Sequence, residues 1–389
     1  MKVLLLQDQV YLPSLGGGNK SNRLLLEELA SMGHECMAFC PAFTTRAGPA
    51  THAEFVLEMA GRGIDIRTER NGSYVYTYNS VTVESLVSGS DVAVRKHIRH
   101  MMDRFDPDWI LVSDDKHRVL LECAVNASRS KTIQILQTIV HLPFGPLSNR
   151  RSSRQARLMG QARRITVISN FIGQYLKQYG NLDSVIAYLP VYGTGPFSNL
   201  GNFSHGYLTM INPCIEKGLD IFLELASRFP RFQFAAVPTW GADDNVISSL
   251  TSCPNVRMIP PADSVDSIFE QTRILLVPSV WYETFGYIVV EAMLRGIPVL
   301  ASNIGGLPEA KLGIDYLLPV IPAVRQRGRF VCPTQDVGPW VHALSELLSD
   351  DEVYTRCSME SRAAARDFLS KTRADGFANM LSSMEVETR

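Results

Sequence analysis

Two glutamates eight positions apart, Glu283 and Glu291, bracket the stretch Thr284-Phe285-Gly286-Tyr287, and an apolar run ending in Val277-Pro278-Ser279 leads into them. A carboxylate accepts two hydroxyl hydrogen bonds from adjacent positions of a polyol ring, and its charge strengthens both. An apolar strand followed by such a loop and a short helix places the loop where an open α/β sheet leaves its ligand crevice, beyond the carboxyl ends of the strands. The amides of Thr284, Phe285 and Gly286 then lie at a helix N-terminus able to receive phosphate. That arrangement suits a nucleotide-sugar, with Glu283 facing one hydroxylated ring and Glu291 another. Glu291 sits inside Val289-Val290-Glu291-Ala292-Met293, an apolar run that a merely solvated carboxylate would interrupt, and buried carboxylates rarely lack partners.

The elements that must position these groups follow from hydrophobic periodicity. The chain opens with a buried-strand pattern (Lys2 to Gln7), a loop, a helical pattern from Ser21 to Met32, a stop at Gly33 and a second strand from Cys36 to Cys40. Such a β-loop-α-β opening argues for a parallel sheet. Residues from about 44 to 90 are less regular and read as an insertion suited to shaping an acceptor pocket. Strands resume at Trp109 to Val112, Thr132 to Leu136 and Ile165 to Ile168, and the Gly/Pro-rich stretch from Pro190 to Ser204 reads as a linker. A second series follows, with strands at Tyr207–Ile211, Phe232–Val237, Val256–Ile259, Ile274–Val277 and Val299–Ala301 and a helix at Asp220–Arg228. The expected architecture is α/β, two Rossmann-like lobes facing across a cleft (1–195 and 196–365). A helical segment, 366–389, packs back on the first lobe.

Composition narrows the function. At 389 residues, 46% apolar and 20% charged, the chain has core enough for two lobes, and a formal net charge of -1 gives no bulk attraction to nucleic acid. Seven scattered cysteines with no Cys-x-x-Cys pair indicate neither a disulfide framework nor a zinc knuckle and point to a reducing compartment. The apolar opening, Val3 to Leu6, is far shorter than a secretory core, and no later run approaches the roughly 18 apolar residues of a membrane span. A cytoplasmic protein is expected.

The block Val277-Pro278-Ser279, Glu283-Thr284-Phe285-Gly286, Glu291-Ala292-Met293, Gly296-Ile297-Pro298-Val299 and Gly305-Gly306 resembles the signature of the family 4 retaining glycosyltransferases of the GT-B fold. That signature is a Glu-x7-Glu motif within Pro-Ser, Glu-x-Phe-Gly, Glu-Ala-Met and Gly-x-Pro-Val, and here it spans residues 277 to 309. Weaker likeness extends to the glycine stretch Leu15-Gly16-Gly17-Gly18-Asn19, to His141, to Val167-Ile168-Ser169 and to Glu216-Lys217-Gly218. The resemblance implies that Glu283 contacts the hydroxyls of a donor sugar, that Glu291 holds the ribose and that Lys217 neutralises the donor diphosphate. A cation so placed stabilises a leaving nucleotide as charge develops, usually a large catalytic effect. Gly17 and Gly18 would bring backbone amides to the donor, since glycine permits close approach and positive φ. This is not a Gly-x-Gly-x-x-Gly dinucleotide fingerprint, because Asn19, Lys20 and Ser21 replace the third glycine.

His141, after the strand-like Ile135 to Val140, is expected at a strand's carboxyl end near the donor sugar or the reacting face. Asp114 and Asp115 end a strand too and read first as a polar turn, second as acceptor contacts. One departure stands out: the family usually carries an arginine five residues before its lysine, and this chain has Asn212, which donates a hydrogen bond but brings no charge. No Asp-x-Asp stands in the second lobe, so metal independence and no resident cofactor are expected. Six arginines between Arg150 and Arg164, without an acid, read as a solvated basic helix or as a peripheral contact with anionic lipid. The resemblance as a whole implies retaining transfer of a hexose from a UDP-sugar to a saccharide or lipid-linked saccharide. A nucleotide-sugar epimerase and a non-catalytic glycan-binding protein are the alternatives, and a Rossmann dehydrogenase fits least.

Overall fold

The computed structural model describes all residues except 15, 45–47, 69–71, 88, 263, 327–328 and 387–389. The chain divides into two compact units, Met1–Gly193 with Lys371–Arg389, and Thr194–Ser370.

In the first unit the order is β1 Lys2–Gln7, α1 Gly17–Ser31, β2 Glu35–Pro41, α2 His52–Gly61, β3 Arg67–Thr68, β4 Ser73–Tyr78 and β5 Val81–Leu86. It continues with α3 Asp91–Phe105, β6 Trp109–Ser113, α4 Leu120–Ala127, β7 Thr132–Leu136, α5 Ser153–Met159, β8 Arg164–Val167, α6 Asn170–Gly180 and β9 Val185–Ile186. Among the described residues these strands form a nine-stranded sheet, β3-β4-β5-β2-β1-β6-β7-β8-β9. Pairing is parallel from β5 to β9 and antiparallel at β3–β4 and β4–β5. β1 has buried residues at five successive positions, the pattern of a central parallel strand covered on both faces.

Residues 44 to 90 correct the sequence reading. Their described part is no irregular insertion but a helix and three strands built into the sheet edge, with β5 in register beside β2 from Cys36↔Val81 to Pro41↔Leu86. The turn between β4 and β5 is Asn79-Ser80, both at positive φ (45° and 65°), the mirror-image geometry that matches strand twist in a two-residue hairpin.

The second unit runs β10 Tyr207–Ile211, α7 Leu219–Arg228, β11 Phe234–Val237, α8 Asp244–Thr251, β12 Val256–Met258, α9 Asp266–Phe269, β13 Thr272–Val277 and α10 Tyr287–Leu294. There follow β14 Val299–Ser302, α11 Leu307–Ala310, β15 Leu317–Leu318, the hairpin strands β16 Val324–Gln326 and β17 Arg329–Val331, α12 Gly338–Ser349 and α13 Asp351–Leu369. Its main sheet, β12-β11-β10-β13-β14-β15, is parallel throughout. α7 buries Leu219, Ile221, Phe222, Leu225 and Ala226, and Phe222 meets Phe234 of β11 edge to face at 5.5 Å between ring centroids. Trp340 of α12, fully buried, completes that core.

Strand order reverses between β10 and β13, making their carboxyl ends the switch point of this sheet. The unit boundary falls within the Pro190–Ser204 stretch, but its second half is not a loose tether. Leu200 N–H donates to the Arg295 carbonyl at 2.8 Å, Asn202 N–H donates to Tyr354 Oη at 3.0 Å, and a Cβ on Gly201 would lie 2.2 Å from the Gly296 carbonyl oxygen. The last helix, α14 Ala374–Val386, belongs to the first unit, burying Phe377, Leu381 and Met384.

Candidate active site

In the second unit the loops after β10, β13 and β14 converge. After β10 the chain makes a single 3-10 turn, Ile215–Lys217, and leaves it through Gly218 at φ 84°. A Cβ at Gly218 would stand 1.9 Å from the Pro278 carbonyl oxygen, so the two loops approach as closely as backbone allows. The contact is locked by the Glu216 carbonyl, which accepts from Val280 N–H at 3.1 Å and Trp281 N–H at 3.0 Å. On the other side Gly305 and Gly306 lie against the backbone of Glu283 and Thr284, with Gly306 N–H donating to the Glu283 carbonyl at 2.7 Å. Three neighbouring strand ends thereby fix the position of one carboxylate.

That carboxylate is engaged at a single oxygen. Lys217 Nζ donates to Glu283 Oε1, and Ser279 Oγ donates to the same atom at 2.7 Å. Among the described residues Oε2 accepts no side-chain hydrogen bond. The side chains of Lys217 and Glu283 keep 25% and 15% of their surface exposed, which holds an ion pair together while leaving both ends reachable. Ser279 completes this pair and was absent from the sequence-derived set, although its place four residues before Glu283 in the quoted block was a usable signal. α10 is preceded by Gly286 (φ 106°), and no side-chain hydrogen bond from that cap position closes its start. Glu291, on the same helix, is only 6% exposed, and Arg295 Nη1 donates to its backbone carbonyl at 2.8 Å.

Asn212 does something other than stand in for an arginine. It takes a left-handed backbone conformation (φ 58°) at the end of β10 and is 8% exposed. Its Oδ1 accepts from Thr239 Oγ1 at 2.7 Å and Gly241 N–H at 2.9 Å, bracing the turn after β11.

The remaining predicted residues lie in the first unit. Leu15 lies outside the described residues, and Gly17 and Gly18 form the first turn of α1 behind Gly16 (φ 114°), so the helix begins four residues before the sequence pattern starts. Gln137 Nε2 donates to the Gly18 carbonyl at 3.2 Å and to Asn22 Oδ1 at 2.6 Å, tying this helix start to the loop after β7. His141 sits in a turn of that loop, not at a strand end, because β7 stops at Leu136. The Asp114 carboxylate ends it by accepting from Gln137 N–H (3.1 Å) and Thr138 N–H (3.2 Å). Burial, with Lys116, His117 and Arg118 nearby, pulls the His141 pKa down to about 4. Burial pushes Asp8 up to about 6 and Asp114 up to about 7. Asp115 is structural in its contacts, accepting from Val119 and Leu121 N–H at the start of α4, both at 3.0 Å.

The basic stretch is shorter as a helix than expected. α5 has seven residues; Arg150, Arg151, Arg154, Arg157 and Arg163 are exposed, Arg154 pairs with Glu122, and Arg164 already begins β8. Among the described residues no helix is long and apolar enough to cross a membrane, and no group of three or more His, Cys, Asp or Glu is placed to hold a metal ion.

Comparison with known proteins matches residues 206–350 to the family profile described as glycosyl transferases group 1. A D-inositol 3-phosphate glycosyltransferase of Mycobacterium sp. (strain KMS) is 30% identical over 159 residues, which are 38% of this chain and 33% of that protein. An uncharacterized glycosyltransferase of Haemophilus influenzae is 26% identical over 159 residues, 39% of this chain and 42% of that one. These alignments span about a third to two fifths of the relatives' lengths. Likeness of fold runs further. Sucrose-phosphate synthase from Thermosynechococcus elongatus superposes with a TM-score of 0.73 at 14% identity over 100% of both chains. Anabaena Alr3699/HepE, solved in complex with UDP and glucose, gives 0.66 at 18% identity over 98% of this chain and 100% of that one. Residues 206–350 therefore match a group 1 glycosyltransferase domain, and the chain that bears them has the two Rossmann-like units of the GT-B fold.

Proposed function

We propose that this protein transfers a hexose from a nucleoside diphosphate sugar, UDP-glucose or a close relative, to a hydroxyl of a saccharide or lipid-linked saccharide, with retention at the anomeric carbon and without a metal ion. The observation that carries the reading is the Lys217–Glu283 pair at the switch point of the second sheet, beside the N-terminus of α10. A cation, a run of helix-start amides and a carboxylate are complementary to a diphosphate joined to a polyol ring. The similarity to a structure solved with UDP and glucose supports the same reading.

In this mechanism the incoming diphosphate takes over Lys217 from Glu283, and the amides near Thr284, Phe285 and Gly286 receive the phosphate oxygens. Glu283 then accepts hydroxyl hydrogen bonds from the hexose, and Glu291 holds the ribose. As the bond from the anomeric carbon to the phosphate oxygen breaks, Lys217 stabilises the charge developing on the nucleotide, the kind of fixed electrostatic contribution that dominates many active sites. The acceptor hydroxyl attacks from the same face and gives its proton to the departing phosphate, while neutral His141 supplies a hydrogen bond to donor or acceptor.

The test is incubation with UDP-glucose and other donors, a set of saccharide and lipid-linked acceptors, and chelator, with NMR of the product. Transfer that keeps the donor's anomeric configuration and survives chelation is expected. Lys217→Ala and Glu283→Ala each lower turnover by about a hundred-fold or more. Turnover indifferent to both substitutions overturns the site assignment.

A further inference from the structure

The turn after β11 is built to hold one side chain in the open. Thr239 to Ala242 closes through Ala242 N–H donating to the Thr239 carbonyl at 3.3 Å, with Trp240 and Gly241 at its tip. Residues on both sides of Trp240 are fastened to a single atom, Asn212 Oδ1, through Thr239 Oγ1 and Gly241 N–H. Any side chain at position 241 would strike that atom, since a Cβ there would lie 2.7 Å from Oδ1 and 3.1 Å from Cys214 Sγ. Trp240 is nonetheless 48% exposed. Among the described residues its ring has no aromatic neighbour and its indole N–H no acceptor.

Leaving a large aromatic uncovered on a braced turn forgoes burial free energy that a flexible or polar turn would not sacrifice. The neighbouring loop does likewise. Ile215, in the turn after β10, is 52% exposed, and the two loops touch where Gly241 packs on Cys214. Sheet order tells which end of a ligand these residues meet. β11 lies on the far side of β10 from β13, so the turn holding Trp240 follows a strand one place beyond that of Lys217 and two places, roughly 10 Å of interstrand spacing, beyond that of Glu283. That is about the separation between the base and the outer phosphate of a nucleoside diphosphate. A sugar placed there would want hydroxyl acceptors, whereas an aromatic base wants a flat apolar face.

We infer that Trp240, braced by Asn212, is the stacking platform for the nucleotide base of the donor, with Ile215 as its apolar neighbour. The inference rests on the donor reading given above and adds to it a residue that selects for the nucleoside. It also gives Asn212 a role: the residue that departs from the expected arginine positions the base platform rather than the diphosphate.

Calorimetry with UDP and with inorganic pyrophosphate, on the wild type, Trp240→Phe and Trp240→Ala, decides it. Stacking on an aromatic side chain predicts that Trp240→Ala weakens UDP by about ten- to hundred-fold, that Trp240→Phe stays close to the wild type, and that pyrophosphate, which lacks a base, binds all three equally. UDP should also quench tryptophan fluorescence less in Trp240→Phe than in the wild type. Unchanged UDP affinity in Trp240→Ala overturns the inference and leaves the donor reading intact. Parallel loss of pyrophosphate overturns it as well, by showing that the substitution disturbs the loop and not a stack. A wild type that binds neither probe overturns both readings.

Discussion

The pairing of Lys217 with Glu283 puts the two charges that a diphosphate sugar would use in each other's company until it arrives. Each neutralises the other's desolvation, and Ser279 orients the carboxylate. Their position depends on Gly218 more than on either side chain. At φ 84°, with a virtual Cβ 1.9 Å from a carbonyl oxygen, that residue tolerates no side chain without separating the β10 and β13 loops. Gly218→Ala is therefore expected to cost roughly 2 kcal/mol or more of stability and to abolish donor binding, read by thermal melting and calorimetry. In the first unit Asp114 keeps its proton up to about pH 7, whereas in the unfolded chain it loses it near 3.8. The folded state thus binds the extra proton between those values, and stability declines as pH rises through them. His141, with its pKa lowered to about 4, acts oppositely, subtracting stability as pH falls below about 6.5. Asp114→Asn retains an oxygen for the Gln137 and Thr138 amides and removes the first effect. Melting of the variant between pH 5 and 8 should show a loss smaller than the wild type's by roughly 2–3 kcal/mol.

At the level of elements, the central strands could be read from sequence because parallel strands buried on both faces are continuous apolar runs, as at Val3–Leu6 and Ile274–Val277. The edge was harder. β4 and β5 alternate polar and apolar residues, and their Asn79-Ser80 turn lacks the glycine that marks a mirror-image hairpin, so the segment passed for an insertion. Ser80→Gly should relieve the strain at φ 65° and raise stability by about 1 kcal/mol, measured by denaturant unfolding. The strand Thr132–Leu136 was read correctly, but His141 was placed at a strand end because hydrophobic periodicity carries no trace of Asp114, whose side chain takes the Gln137 and Thr138 amides just beyond β7. In the candidate site, Glu283 and Glu291 could be named from their spacing and Lys217 from resemblance, and the structure joins Lys217 and Glu283 in one ion pair. The contacts of Ser279 with Glu283 and of Asn212 with Thr239 and Gly241 could not be named, since each depends on which atoms neighbouring loops bring within hydrogen-bond reach.

On the scale of the whole molecule, the second unit is one uninterrupted stretch of chain, while the first is assembled from two pieces far apart in sequence. α14 packs along α1, Glu28 accepts from Ala374 N–H at 3.1 Å, and Phe377, Leu381 and Met384 are all buried. Ending the chain at Ser370 should lower the melting temperature of the first unit by several degrees and open it to protease, leaving nucleotide binding by the second unit near normal. The order of residues also sets an order of events on the ribosome. All of the sheet that carries Lys217 and Glu283 has been synthesised before the helix that finishes the first unit is made, so the earlier-made half waits, incompletely closed, for the chain's final turns.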